Sequence, residues 1–121
     1  MYIEDNPASL SLVENIIEGR PDIRLLSAMN GNVGIELAGA HLPDLILMDI
    51  NLPGISGVDV IKTLRGNPLT KHIPIIVLSA DVKPHDIANA MEAGVFRYLT
   101  KPINLNEFMN TIDEALKMTN V

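Results

Sequence analysis

Five side chains in this sequence are of the types that handle phosphate and hard cations: Glu4, Asp5, Asp49, Ser79 and Lys101. Each follows a short apolar run, so each stands where such a run gives way to polar residues. Carboxylates brought close together raise one another's pKa. A hard divalent cation offsets that repulsion, and magnesium suits oxygen ligands, keeps some of its waters and often works beside phosphate. Lys101 can pair with a carboxylate or a phosphate oxygen, and Ser79 can donate to a phosphoryl oxygen. The set is equipped for phosphoryl transfer, with a carboxylate as the nucleophile and cationic groups to neutralise the transferred charge. Spacing alone leaves open which carboxylate attacks. Position favours Asp49, which ends the run Leu45-Ile46-Leu47-Met48.

The elements that must position these groups are legible from periodicity. Tyr2-Ile3 is a stub of strand before Glu4-Asp5. Asn6-Pro7 reads as an N-cap with proline at the first helical position, and Leu10, Val13 and Ile17 follow at helical spacing until Gly19 and Pro21. Residues 23–28 read as a second strand and 30–40 as a second helix. Residues 44–49 form a third strand, apolar enough to be covered on both faces. Residues 51–57 are a turn-rich loop, and Val58, Ile61 and Leu64 mark a third helix. Residues 74–78 are a strand running into Ser79, 84–93 a helix capped by Gly94, 96–100 a fifth strand, and Leu105, Phe108, Ile112 and Leu116 a last helix. Five strands alternating with five helices predict a parallel sheet with helices on both faces. In such sheets, sites form outside the carboxyl ends of the strands, where all five polar residues fall.

Composition narrows the field further. The 121 residues suit one domain with one core. The absence of cysteine excludes a disulfide framework and any Cys-based zinc site or nucleophile, in keeping with a cytoplasmic setting. A net charge of −6 with 3% aromatic residues argues against direct nucleic-acid binding. No stretch has the ~20 apolar residues of a membrane span, and no signal peptide is visible.

Taken in order, Glu4-Asp5, Met48-Asp49, Leu52-Pro53-Gly54-Ile55-Ser56-Gly57, Ser79-Ala80 and Lys101-Pro102 resemble the receiver domain of bacterial two-component response regulators over the whole chain. The resemblance implies a flavodoxin-like (βα)5 fold with strand order 2-1-3-4-5. It implies that Asp49 accepts a phosphoryl group from a phosphohistidine on a histidine kinase or a histidine phosphotransfer protein. Asp5 and Asp49 would ligate Mg2+ (or Mn2+) with the backbone carbonyl of Asn51, and Glu4 would act through a metal-bound water. Lys101, Ser79 and Ala80 would bind the phosphoryl oxygens. Ser79 and Tyr98 match the family's switch pair, and Lys101-Pro102 a bond often cis in the family. The resemblance is also compatible with a homodimer through the fourth helix, fifth strand and fifth helix.

The wording Tyr2-Ile3-Glu4-Asp5-Asn6-Pro7 further resembles receivers attached to hybrid sensor kinases. Two features depart from the pattern. The acidic pair is Glu-Asp instead of the commoner Asp-Asp, and the first strand is unusually short. The second departure leads to the expectation that residues 1–121 are a single receiver excised from a longer multidomain protein.

Singly, each residue has a plainer explanation. Glu4-Asp5 could be solvated charge before a helix N-terminus, Asp49 and Ser79 caps, and Lys101 an exposed lysine. Tyr98 could be ordinary core, and Asn51 and Asp81 ordinary loop polarity instead of groups tuning phosphate lifetime. Joint occurrence at these positions favours the site. His41, His72 and His85 read as surface residues and the methionines as core filler. Three competing functions fit the residues less well. A haloacid-dehalogenase-like phosphatase normally carries a second acid two residues after its nucleophile, and position 51 is Asn. A degenerate receiver usually loses the acceptor or the lysine, and both are present. A flavodoxin-like nucleotide binder lacks support without a Gly-rich phosphate loop after the first strand.

Overall fold

The computed structural model describes residues 1–50, 52, 54–80 and 83–119. Along them run β1 (Tyr2–Ile3), α1 (Pro7–Glu18), β2 (Ser27–Ala28), α2 (Gly31–His41), β3 (Ile46–Asp49), α3 (Gly57–Gly66), β4 (Ile75–Ser79), α4 (Pro84–Ala93), β5 (Arg97–Thr100) and α5 (Leu105–Thr119). The strands form one parallel sheet in the order β2-β1-β3-β4-β5. This is the doubly wound α/β arrangement that the alternation of patterns predicts. Among the described residues no helix is long and apolar enough to cross a membrane.

The sheet separates two apolar layers. On one face Ile3, Ile46, Met48, Ile75 and Val77 pack under Ala38 of α2, Val60, Ile61 and Leu64 of α3, and Ala90 of α4. On the other, Tyr2, Leu47, Ile76 and Leu78 meet Val13 and Ile17 of α1 and Phe108, Ile112 and Ala115 of α5. Alternate strand residues therefore serve opposite layers. That is why β3 and β4 are almost wholly apolar and buried up to their last residue.

Short side chains fix the helix starts. Asn6 accepts from Ala8 N at 2.9 Å, Asn30 from Val33 N at 2.9 Å and Ser56 from Asp59 N at 3.2 Å. Each bond satisfies an amide that the first helical turn leaves without a carbonyl. At the other end of α4, Gly94 takes φ +107°, a conformation that suits glycine.

The second strand is shorter than its pattern predicts: it spans Ser27–Ala28, and residues 23–26 lie outside it. β1 pairs Tyr2 with Ser27 and Ile3 with Ala28, so apolar periodicity upstream has no neighbouring strand to complete a ladder. The three histidines are exposed, as expected. The methionines divide: Met1 and Met48 are core, whereas Met29 and Met91 are exposed, which corrects their reading as filler.

Candidate functional site

Parallel register brings four strand ends to one edge. Ile3 lies opposite Met48, so Glu4 and Asp49, each one residue further on, become neighbours. Asp49 is opposite Leu78, and Ser79 opposite Thr100, which sets Lys101 just beyond the last row. Backbone bonds pin the ends: Glu4 N donates to Ala28 O at 2.9 Å and Lys101 N to Ser79 O at 2.8 Å.

The side chains converge on this frame. Lys101 Nζ donates to Glu4 Oε1 at 3.2 Å, to Asp49 Oδ2 at 3.3 Å and to Ser9 Oγ at 3.4 Å. Carboxylate oxygens of Glu4, Asp5 and Asp49 lie within 4.8 Å of one another. Their exposure is graded: Glu4 is buried, Asp49 half-buried and Asp5 exposed. Burial first, and then the Asp49 carboxylate, push Glu4 up to about 7, while Lys101 pulls the other way. Glu4 Oε2 and Tyr2 Oη are buried without a hydrogen-bond partner. Burial, then the charges of Glu4 and Asp49, raise the Tyr2 phenol.

Those facts test the fit of a hard cation. The clustered donors are all carboxylate oxygens, one buried oxygen lacks a partner, and Lys101 reaches two of the three acids. This donor set suits magnesium, with the exposed Asp5 leaving room for water ligands. It suits zinc less well, because neither imidazole nor thiolate is among the clustered residues.

Ser79 is fully buried at the end of β4. Because Val77 pairs with Tyr98 and Ser79 with Thr100, Ser79 and Tyr98 lie on the same face of the sheet. Tyr98 is half-buried and packs against the layer under α2, α3 and α4. Ala80 is exposed just past the strand. The Lys101–Pro102 peptide is cis. Asn51 and Asp81 lie outside the described residues. Sequence reading missed two participants. Tyr2 read only as a strand residue, and Ser9 only as part of a helix. Ser9 enters because the first turn of α1, started by Asn6, carries it over the lysine.

Fold, acidic cluster and lysine together define a class. Residues 1–113 match the family described as the response regulator receiver domain, and the chain belongs to that family of phosphoryl-accepting signalling modules. It is similar to the polar-differentiation response regulator DivK of Brucella anthropi, 36% identical over 116 residues and covering 96% of this chain and 94% of that protein. The DivK of Brucella ovis is 37% identical over 118 residues, with the same coverage. A putative response regulator from Chloroflexus aurantiacus superposes with TM-score 0.89 at 28% identity, covering 96% of this chain and 94% of that one. The receiver domain of a Pseudomonas aeruginosa sensor histidine kinase, with a magnesium ion coordinated in its active site cleft, gives TM-score 0.87 at 27% identity and the same coverage.

Proposed function

We propose that Asp49 is the phosphoryl acceptor of this receiver domain, that Asp5 and Asp49 hold Mg2+ with the Asn51 carbonyl, and that Glu4 acts through a metal-bound water. The observation that carries this reading is Lys101 Nζ spanning Glu4 and Asp49 beside the triad of carboxylates. Of the three acids, Asp49 alone is both half-open to solvent and in contact with that lysine. Glu4 is buried, and Asp5 is too exposed to be desolvated.

In the transfer, an Asp49 carboxylate oxygen forms the new P–O bond as the P–N bond to the donor imidazole breaks. The electron pair returns to the imidazole nitrogen, which takes a proton. The donor would be a phosphohistidine on a histidine kinase or a histidine phosphotransfer protein. Bound magnesium (or manganese) supplies charge neutralisation for the phosphoryl oxygens. Lys101 exchanges its carboxylate partners for one phosphoryl oxygen, and the Ser79 hydroxyl and the backbone at Ala80 serve the others. The domain promotes only its own phosphorylation and dephosphorylation and has no external substrate to turn over. An ATP-fed phosphohistidine donor would place it in the cytoplasm.

The shared face of Ser79 and Tyr98 supports a switch in which a shift of Ser79 toward the phosphate lets Tyr98 move inward, altering the α4–β5–α5 surface. A homodimer across that surface is one form the output would take. Incubation with acetyl phosphate and magnesium is expected to phosphorylate the chain, read by intact mass. Asp49→Asn is expected to abolish the adduct, and an adduct undiminished in that variant would remove Asp49 as acceptor.

A further inference from the structure

Tyr2 and Glu4 each end in a buried oxygen without a hydrogen-bond partner, Tyr2 Oη and Glu4 Oε2. The two residues are 0% and 2% exposed. Glu4 N, donating to Ala28 O at 2.9 Å, carries the ladder one residue past Ile3. Side-chain alternation therefore puts Tyr2 and Glu4 on the same side of the sheet. That side is the layer of α1 and α5, where Tyr2 lies with Val13 and Phe108 and where Lys101 reaches Ser9. Two residues along a strand separate the Cα atoms by about 7 Å, a gap that a phenol and a glutamate can span. In keeping with that proximity, the charges of Glu4 and Asp49 both act on the Tyr2 phenol.

A buried hydroxyl without a partner bears its full desolvation cost, and phenylalanine would fill the same layer without it. The cost is offset where another state of the site gives the hydroxyl an acceptor. Lys101 now donates to Glu4 Oε1 at 3.2 Å. It loosens from that oxygen in either loaded state, repelled by a bound cation or attracted by a phosphoryl oxygen. The last torsion of a glutamate is broad, so the released carboxylate can turn. Resting on the roles assigned above to Glu4 and Lys101, we propose that Tyr2 is a positioning residue for Glu4. Its hydroxyl donates to one oxygen of the released carboxylate from within the α1 and α5 layer and leaves the other aimed at the cation site. Tyr2 itself touches neither cation nor phosphoryl group.

Magnesium titrations followed by amide NMR shifts test this on four chains: wild type, Tyr2→Phe, Glu4→Asp and the double variant. Glu4→Asp keeps the charge but draws the carboxylate back from the phenol. Groups that hold a metal's ligands from behind change its affinity by roughly 10–100-fold. Tyr2→Phe is therefore expected to weaken binding roughly 10-fold beside Glu4 and less than about 2-fold in the Glu4→Asp background. Without metal, Tyr2→Phe should melt no lower than wild type, since it loses only an unpaired hydroxyl; a lower melting temperature would overturn the proposal. A second readout keeps the tyrosine in place. Tyr98→Phe leaves Tyr2 as the sole tyrosine, and magnesium should move its 13Cζ resonance, much less so when Glu4→Asp is added. An unchanged affinity in Tyr2→Phe, equal losses in both backgrounds or an unmoved resonance would overturn the proposal and leave the acidic site as described. A wild-type chain that binds no magnesium would instead overturn the reading of that site, and this proposal with it.

Discussion

Glu4 concentrates the electrostatics of this domain in one side chain. It is 2% exposed, it shares Lys101 with Asp49, and one of its oxygens has no hydrogen bond. Its pKa stands near 7, against 4.5 ordinarily. The folded chain therefore holds a proton there that the unfolded chain gives up above about 4.5. The stability from Glu4 is full below that value and is lost as pH rises through about 7. The Met1 amine acts oppositely. Lowered to about 6 from 8.0, it makes stability rise across that interval. Glu4→Gln isolates the first effect. In metal-free buffer at pH 8 it is expected to stabilise the fold by roughly 1–3 kcal/mol, and the gain should vanish near pH 4. Urea unfolding at the two pH values measures both. Lys101→Met removes the ammonium that contacts both Glu4 and Asp49. Magnesium binding should survive it, while labelling by acetyl phosphate falls on the order of 100-fold.

Among the elements, α3 is tied to its neighbours by one residue. Arg65 donates through Nε and Nη2 to Gly94 O at 3.0 and 2.9 Å, and through Nη1 to Ile73 O at 2.7 Å and Lys71 O at 3.0 Å. It thus joins the end of α3 to the C-cap of α4 and to the chain entering β4. Burial lowers its pKa from the ordinary guanidinium value. Arg65→Ala is expected to cost about 2 kcal/mol, with Arg65→Lys recovering little, because three carbonyls need a fork of donors. Thermal melts of both variants decide it. The α3 N-terminus is constrained differently. A Cβ on Gly57 would lie 2.7 Å from Ile50 O, a backbone atom that cannot turn aside. Glycine there lets the Ile50 backbone approach the start of α3 closely, with Gly57 N donating to Ile50 O at 3.2 Å.

For the whole molecule, cation binding at this site would be coupled to folding, because two of the acids follow β1 and the third ends β3. A ligand that binds only the assembled site stabilises by RT ln(1 + [L]/Kd). Added magnesium should therefore raise Tm steadily with the logarithm of its concentration above Kd, and Asp5→Asn should lose the rise. An equal rise in both proteins would mean the cation acts elsewhere. A beryllofluoride complex should shift amide resonances in β4, α4 and β5 well beyond the site. If the Ser79–Tyr98 coupling is correct, Tyr98→Ala shrinks the distant shifts and spares those next to Asp49.

Apolar periodicity alone determined five strands, five helices and their alternation, because strand and helix periods are local properties of the chain. The polar residues closing the apolar runs were equally legible, and so Asp49, Glu4-Asp5, Ser79 and Lys101 could be named before any coordinate. Parallel register was needed to make Glu4 and Asp49 neighbours, for nothing local states that Ile3 faces Met48. Burial of Glu4 beside an exposed Asp5 was likewise decided by packing, since adjacent acids look alike in sequence. Ser9 over the lysine and Tyr2 under the acids arose from the docking of α1 and the layering of the sheet. The strand expected over residues 23–28 kept only Ser27 and Ala28, because a strand exists only where a neighbour completes its hydrogen bonds.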